Sequence, residues 1–179
     1  MRIIAGEFRS RRLKSIPGDT TRPTPDRLRE TLFNILAPRI GGATFVDAYA
    51  GTGAVGIEAL SRGARHVWFL EKNRAALEAI RENLAALQLE RRASVIAGPV
   101  LLTLKRYAAD IVFLDPPYAL EREYRAVLDL LSQHPPPLAV VQHASRFALP
   151  ETQGQLTRTR LLKHGDNALS FFAKLGQCL

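Results

Sequence analysis

Asp47-Ala48-Tyr49-Ala50-Gly51-Thr52-Gly53-Ala54-Val55-Gly56 lies where a short apolar run, Thr44 to Ala48, gives way to a helix-like segment, Ala54 to Arg62. Gly51, Gly53 and Gly56 satisfy G-x-G-x-x-G between a strand and a helix, the context in which that pattern carries meaning. Glycines there allow a tight turn and a close approach of backbone to a bound nucleoside. The fold can be read outward from this loop in both directions.

Downstream, strand and helix alternate. His66 to Leu70 reads as a strand ending in Glu71, and Asn73 as the cap of a helix to about Leu87, with Leu77, Ile80, Leu84 and Leu87 on one side. Ala93 to Ala97 is a strand, followed by a helix from about Val100 to Tyr107. Ile111 to Leu114 is a strand, Leu120 to Ser132 a helix stopped by Pro135-Pro136-Pro137, and Leu138 to His143 a strand. Gln155 to Lys163 and Ala168 to Lys174 pair as a hairpin around residues 164–167. This order predicts an α/β fold: a doubly wound, mostly parallel sheet with an antiparallel hairpin at its end.

Upstream, Met1 to Phe8 has strand character, and Arg9 to Lys14 alternates as a short hairpin does. Pro17-Gly18-Asp19 is a turn signal, and Thr21 to Asp26 an extended lead-in. Thr24 or Asp26 caps a helix whose apolar face is Leu28, Leu32, Phe33, Ile35 and Leu36, and Pro38 ends it. Residues 1–20 are expected to be a basic extension packed on a main domain of residues 21–179. The chain has 179 residues, 46% hydrophobic and 23% charged, with a net charge of +8. Within residues 1–14, Arg2, Arg9, Arg11, Arg12 and Lys14 face only Glu7. Such a patch suits a polyanion. No apolar run is long enough for a transmembrane helix, and no apolar signal region opens the sequence, so a cytoplasmic location is expected. Cys178 stands alone, which excludes an internal disulfide and a zinc set; no metal is expected. Nothing demands a dimer, so a monomer is expected.

Asp110-Ile111-Val112-Phe113-Leu114-Asp115-Pro116-Pro117-Tyr118 supplies the chemistry. Asp115 ends a buried strand, and two prolines stop it because neither can donate to a ladder. A carboxylate, a proline carbonyl and an aromatic ring are thereby held in a stiff turn at the carboxyl end of a strand, where open α/β sheets bind ligands. Two rigid acceptors suit a neutral amino group with two protons to give. If Asp115 and the Pro116 carbonyl each take one, the nitrogen lone pair turns towards an electrophile, while Tyr118 holds the ring that bears the amine.

Glu71 follows Gly53 by eighteen residues, and a carboxylate there can accept from the ribose hydroxyls of an adenosine. NAD and S-adenosylmethionine share that feature. Asp47, inside the crevice, would repel a pyrophosphate and pair with the ammonium of a methionine moiety. No hydride-transfer set such as Ser-Tyr-Lys appears. The methyl donor is therefore favoured.

Taken with Glu71, the motifs Asp47-Ala-Tyr-Ala-Gly-Thr-Gly53 and Asp115-Pro-Pro-Tyr118 resemble those of class I amino-methyltransferases. Arg2-Ile-Ile-Ala-Gly-Glu-Phe-Arg9, Thr21-Arg-Pro-Thr-Pro-Asp-Arg27 and Arg29-Glu-Thr-Leu-Phe-Asn-Ile-Leu36 resemble the bacterial RsmD family in particular, and the resemblance covers nearly the whole chain. Members of that family methylate the N2 amine of a guanine in 16S ribosomal RNA. The resemblance implies a Rossmann-like seven-stranded sheet and S-adenosyl-L-methionine as cofactor. It implies cofactor contacts from Thr24, Asp47, Ala50, Gly51, Gly53, Glu71, Lys72, Pro99, Val100 and Asp115. It implies target binding by Asp115, Pro116, Pro117 and Tyr118, and RNA contacts from Arg2, Arg9, Arg11, Arg12, Lys14 and Arg22. The partner would be 16S rRNA, the small ribosomal subunit or an assembly intermediate of it.

The sequence departs from the family pattern at two places. Ala97-Gly98-Pro99-Val100 stands where an acidic or amide residue often meets adenine. Gln142-His143 stands where the fifth strand often ends in an acid, and His143 reads as a packed residue with no assigned role. Three other functions remain open at this stage: methylation of DNA or protein amines, a ribosome-assembly factor with a relic cofactor fold, and an NAD oxidoreductase.

Overall fold

The computed structural model describes residues 1–15, 25–117 and 121–176. Helix α1 (Asp26–Ile40) precedes β1 (Thr44–Ala48), α2 (Ala54–Ser61), β2 (His66–Glu71), α3 (Arg74–Ala86) and β3 (Ala93–Ala97). Then come α4 (Val100–Thr103), β4 (Ile111–Leu114), α5 (Glu121–Gln133), β5 (Leu138–Ala144), β6 (Thr152–Gln153), β7 (Leu156–His164) and β8 (Asn167–Lys174). One eight-stranded sheet runs β3-β2-β1-β4-β5-β8-β7-β6. The first five strands in that order pair in parallel, and the rest are antiparallel. The expected fold class holds; the strand beyond the seven implied by the resemblance is the two-residue β6.

Alternation along the parallel strands divides the core. Phe45, Phe113 and Val140 face a cluster with Leu28, Leu32 and Phe33 of α1, Ile57 and Leu60 of α2, and Ile80 and Leu84 of α3. Val46, Leu114 and Val141 face the other, with Val100 and with Tyr124, Val127, Leu128 and Leu131 of α5. Strands buried on both faces read as continuous apolar runs, as β4 does. Tyr124, Val127, Leu128 and Leu131 follow the spacing of one helical face.

The strand order reverses between β1 and β4, which opens a crevice beyond their carboxyl ends. At the opposite ends Asp110 locks the pair. Its Oδ2 accepts from the Thr44 backbone N–H at 2.8 Å and from the Thr44 hydroxyl at 2.6 Å. The Thr44 Oγ1 in turn accepts from the Asp110 N–H at 3.0 Å.

Three local expectations change. Met1 to Phe8 is not a strand: it makes a single bridge, Arg2 with Arg12. Gly6, at φ +86°, turns the chain. The Glu7 N–H donates to the Ser61 carbonyl at 2.8 Å, and three other backbone donors nearby go to side chains of the main domain. Glu58 Oε2 accepts from the Ile4 N–H at 2.8 Å and Oε1 from the Ala5 N–H at 3.0 Å, while Ser61 Oγ accepts from the Phe8 N–H at 3.0 Å. Further along, Asn83 Oδ1 accepts from the Lys14 N–H at 2.7 Å. Second, Pro38 lies inside α1, because near a carboxyl end it forfeits one hydrogen bond and Ile40 still packs into the core. Third, the helix from Val100 is α-helical only to Thr103 and tightens to a 3-10 turn over Leu104–Arg106. Asn73 caps α3 as expected, its Oδ1 accepting from the Ala76 N–H at 3.1 Å. The expected turn at Pro17-Gly18-Asp19 and the cap at Thr24 lie outside the described residues, and Asp26 is not the cap but the first residue of α1, with Pro25 before it.

Glu58 is fully buried and holds more than the extension. Arg62 Nε donates to its Oε1 at 2.8 Å, and Arg29 Nε, also fully buried, lies 4.0 Å from its Oε2. Arg29 Nη2 donates to the Arg2 carbonyl at 2.6 Å and to Asp26 at 3.0 Å. Glu58→Ala would remove one of the two carboxylates beside the buried Arg29 and leave two backbone donors without their acceptor. Removal of one partner of a buried pair costs about 3–5 kcal/mol, and urea unfolding of Glu58→Ala is expected to show a loss of that order; a loss no larger than that of an exposed Glu78→Ala control would contradict this account.

Candidate active site

The glycine loop leaves β1 at Ala48 and enters α2 at Ala54. Gly53 turns it in the left-handed region, φ +78°. Gly56 meets a steric demand: a Cβ there would lie 2.3 Å from Phe69 Cε1, so α2 can press against β2 only with glycine at this place. Asp47 lies beneath the loop, 2% exposed, and its Oδ2 accepts from the Gly56 N–H at 2.7 Å. Above it, Glu71 at the end of β2 braces the loop. Its Oε2 accepts from the Gly51 N–H at 2.8 Å, and its Oε1 from the N–H groups of Lys72 and Asn73, each at 2.8 Å. A carboxylate has about four acceptor positions, so Oε2 retains capacity for a hydroxyl. Beside Glu71 stands the loop after β3, whose Gly98 N–H donates to the Glu71 carbonyl at 2.9 Å. It is followed by the exposed Pro99 and the buried Val100.

Asp115 emerges from β4 next to this loop, with its N–H 3.4 Å from the Ala48 carbonyl. Pro116 is buried and Pro117 exposed. The Pro116 carbonyl already accepts a hydrogen bond of 2.9 Å from the buried Tyr124 hydroxyl on α5. A carbonyl oxygen has two lone pairs, so one remains for an incoming donor. Tyr118, Thr24 and Arg22 lie outside the described residues.

Residues to which the sequence assigned no role lie beside the site. Tyr49, at the unusual φ of 65°, sends its hydroxyl to Glu123 of α5 at 2.9 Å. Burial, and then the Glu123 carboxylate, raise its pKa above the ordinary tyrosine range. The first turn of α5 thus ties down both the glycine loop and the Asp-Pro-Pro turn. Gln142, 2% exposed on β5, donates from Nε2 to Asp115 Oδ2 at 3.2 Å. Its signal in the sequence was a polar residue within an apolar strand, where the resembled family often has an acid. His143 is packed, as expected. Its Nδ1 lies 2.9 Å from the Ala144 carbonyl, which can only accept, so Nδ1 carries the proton and Nε2 accepts from the Ser170 hydroxyl at 2.9 Å. Burial lowers its pKa, against the opposing bond to the Ala144 carbonyl.

The basic residues Arg2, Arg9, Arg11, Arg12 and Lys14 are all exposed along the extension. Lys14 pairs with Glu82, and Arg11 Nη2 lies 3.5 Å from the Ala86 carbonyl. Asn83 Nδ2 donates to the Lys14 carbonyl at 3.1 Å and to the Thr52 carbonyl at 3.3 Å, which joins the extension to the glycine loop. Lys72 is exposed and Ala50 is buried at the base of the loop, its N–H donating to the Leu70 carbonyl at 3.1 Å. Among the described residues no group of His, Cys, Asp or Glu could hold a metal ion, and no helix is long and apolar enough to cross a membrane.

Three carboxylates therefore converge on the crevice. Burial, with the charges of Asp115 and Glu71 adding to it, raises the Asp47 pKa well above the usual carboxylate value, against the opposing Gly56 hydrogen bond. A crevice of this kind repels phosphates and favours a cationic ligand. The sequence matches the family described as conserved hypothetical protein 95 over residues 1–173. It is 35% identical over 98% of its length to the whole Bacillus subtilis protein named "Putative rRNA methyltransferase YlbH". It is 40% identical to the Haemophilus influenzae protein named ribosomal RNA small subunit methyltransferase D, over 71% of this chain and 68% of the relative. A solved Escherichia coli structure named "Putative methyltransferase yhhF" superposes with a TM-score of 0.83 at 34% identity, over 99% of both chains.

The raised pKa means that the folded protein holds the Asp47 proton to a higher pH than the unfolded chain does. The stability due to this group is therefore complete below the unfolded value and is lost as pH rises through the folded one. Asp47→Asn keeps an acceptor for the Gly56 N–H and removes the titration. The melting temperature of Asp47→Asn relative to the parent is expected to climb between about pH 4 and about pH 8, and a difference that does not change with pH would contradict this account.

Proposed function

This chain belongs to the conserved hypothetical protein 95 family, the RsmD family that its motifs resemble, and on that premise we propose that it transfers a methyl group from S-adenosylmethionine to the N2 amine of a guanine in 16S ribosomal RNA. The observation that carries the reading is the arrangement at the β1/β4 reversal: a glycine loop braced by Glu71, a buried Asp47, and the Asp115-Pro116-Pro117 turn beside them. The residues present fit the cofactor. Glu71 Oε2 has room for a ribose hydroxyl, and the converging carboxylates suit its positive charges rather than a pyrophosphate. In this reading Thr24, Asp47, Ala50, Gly51, Gly53, Glu71, Lys72, Pro99, Val100 and Asp115 surround it. When bound, S-adenosylmethionine supplies an electrophilic methyl on its sulfonium.

The protein's own residues do the rest. Asp115 and the second lone pair of the Pro116 carbonyl each accept one proton of the amine and fix the nitrogen. Tyr118 holds the guanine ring. Asp115 takes the proton that the nitrogen gives up. Orientation of this kind accounts for up to ~7–11 kcal/mol of a barrier in favourable systems. A guanine within a helix must first be extruded, at a few kcal/mol. Arg2, Arg9, Arg11, Arg12, Lys14 and Arg22 grip phosphates. The partner is the small ribosomal subunit, its 16S rRNA or an assembly intermediate, and the protein works as a monomer in the cytoplasm.

The test is tritium transfer from labelled S-adenosylmethionine to undermethylated small subunits, with nuclease mapping. Label is expected on a single guanine, and Asp115→Ala is expected to lower turnover by roughly a hundredfold or more. Label on a different base, or undiminished turnover in the variant, would overturn the reading. In parallel, Arg9→Ser combined with Arg12→Ser is expected to weaken RNA binding for all sequences alike and to flatten its salt dependence by about one unit of slope per lost phosphate contact.

A further inference from the structure

We propose that Asn83 is a positioning residue shared by two binding sites: its side-chain amide sets the cofactor loop at Thr52 against the backbone of the basic extension at Lys14, so that S-adenosylmethionine and RNA bind cooperatively. The inference rests on the cofactor and RNA sites proposed above and goes beyond them by naming the group that links them.

Helix α3 places Asn83 between the two. Ile80 and Asn83 lie one turn apart on the same face of that helix, and both meet the glycine loop. A Cβ on Gly53 would lie 3.1 Å from Ile80 Cγ1. Asn83 Nδ2 donates to the Thr52 carbonyl at 3.3 Å and to the Lys14 carbonyl at 3.1 Å, while Oδ1 accepts from the Lys14 N–H at 2.7 Å. A carbonyl only accepts and a backbone N–H only donates, so these partners fix which end of the amide is which. The side chain is 4% exposed, and its nitrogen and its oxygen are both engaged. The extension follows the same stretch of α3, where Lys14 pairs with Glu82 and Arg11 Nη2 lies 3.5 Å from the Ala86 carbonyl.

Two adjacent loop residues are thereby held. Glu71 Oε2 accepts from the Gly51 N–H, and Asn83 donates to the Thr52 carbonyl. The first grip comes from the end of β2. The second depends on the extension, because the amide that reaches Thr52 is oriented by its two bonds to the Lys14 backbone. A ligand that holds the extension in place therefore favours the loop geometry that receives the cofactor. By linkage the cofactor favours the seated extension by the same factor. An aspartate of equal size can accept from the Lys14 N–H but offers no hydrogen to either carbonyl. A purely structural tether would hold the extension and leave both affinities of the folded protein unchanged.

Equilibrium dialysis of tritiated S-adenosylhomocysteine, which binds without turnover, tests the link in the full chain. It is run with and without saturating undermethylated small subunits, on variants shown by circular dichroism to be folded. In the parent the subunits are expected to tighten binding at least about fivefold. Asn83→Leu is expected to weaken binding without subunits by about tenfold and to abolish the tightening. Asn83→Asp keeps the size and one acceptor, is expected to behave as Asn83→Leu does, and serves as the test if that variant does not fold. Glu82→Gln removes only the ion pair with the Lys14 side chain and is expected to match the parent in both measurements. Parental affinity or undiminished tightening in the Asn83 variants, or no tightening in the parent, would overturn the proposal and leave the two sites standing. Failure of the parent to bind S-adenosylhomocysteine at all would instead remove the cofactor site on which it rests.

Discussion

The register of β1 against β4 sets Ala48 opposite Leu114, and this decides how near the glycine loop and the Asp-Pro-Pro turn emerge to each other. The two strands run parallel and their neighbours in the sheet lie on opposite sides of the pair. A shift of one residue would turn every side chain on one strand to the other face. It would take Asp47 from beneath the loop and Asp115 from beside Gln142. Asp110 and Thr44 resist such a shift at the far end of the pair with three reciprocal hydrogen bonds. The Thr44 hydroxyl bond, ahead of the others, also holds the Asp110 carboxyl below its ordinary pKa.

Around the crevice, polar groups support one another in a chain rather than in isolated pairs. Glu71 braces the loop that Asp47 underpins. Tyr49 carries the loop across to α5 through Glu123. Tyr124, the next residue on α5, supports the Pro116 carbonyl, and Gln142 supports Asp115 from β5. The non-glycine left-handed backbone at Tyr49 fits this picture, since such conformations persist where surrounding contacts over-determine them. The loop and the turn therefore share one helix as their common support.

Much of this was legible in the sequence, and for identifiable reasons. Strand ends, the two sides of α3 and α5, the glycine loop and Glu71 all follow from periodicity and from spacing along the chain. Contacts between distant residues do not. Tyr49 meets Glu123 across 74 positions and Ile4 meets Glu58 across 54. In each case a polar group finds a partner that no local pattern names. Glu58 did carry a signal, since it interrupts a helix in which all eight residues are buried, and a buried carboxylate requires partners. Met1 to Phe8 misled because its isoleucines suggest a strand, whereas only residues 1–3 pair with the backbone of residues 10–13 and the donors of Ile4, Ala5 and Phe8 go to side chains. Pro38 misled because a proline near a helix end removes only one bond.

The attachment of the extension also has a temporal side. Its holding groups on α2 and α3 lie up to 69 residues downstream of the backbone they bind. A chain made from its amino end releases residues 4–14 long before Glu58, Ser61 or Asn83 exists. Closing loops of that length is slow and unrewarded until both ends are in place. The basic surface consequently takes its final shape only after α3 has been translated and has packed on the sheet. During synthesis this basic segment therefore settles only once the residues that hold it, on α2 and α3, have been made.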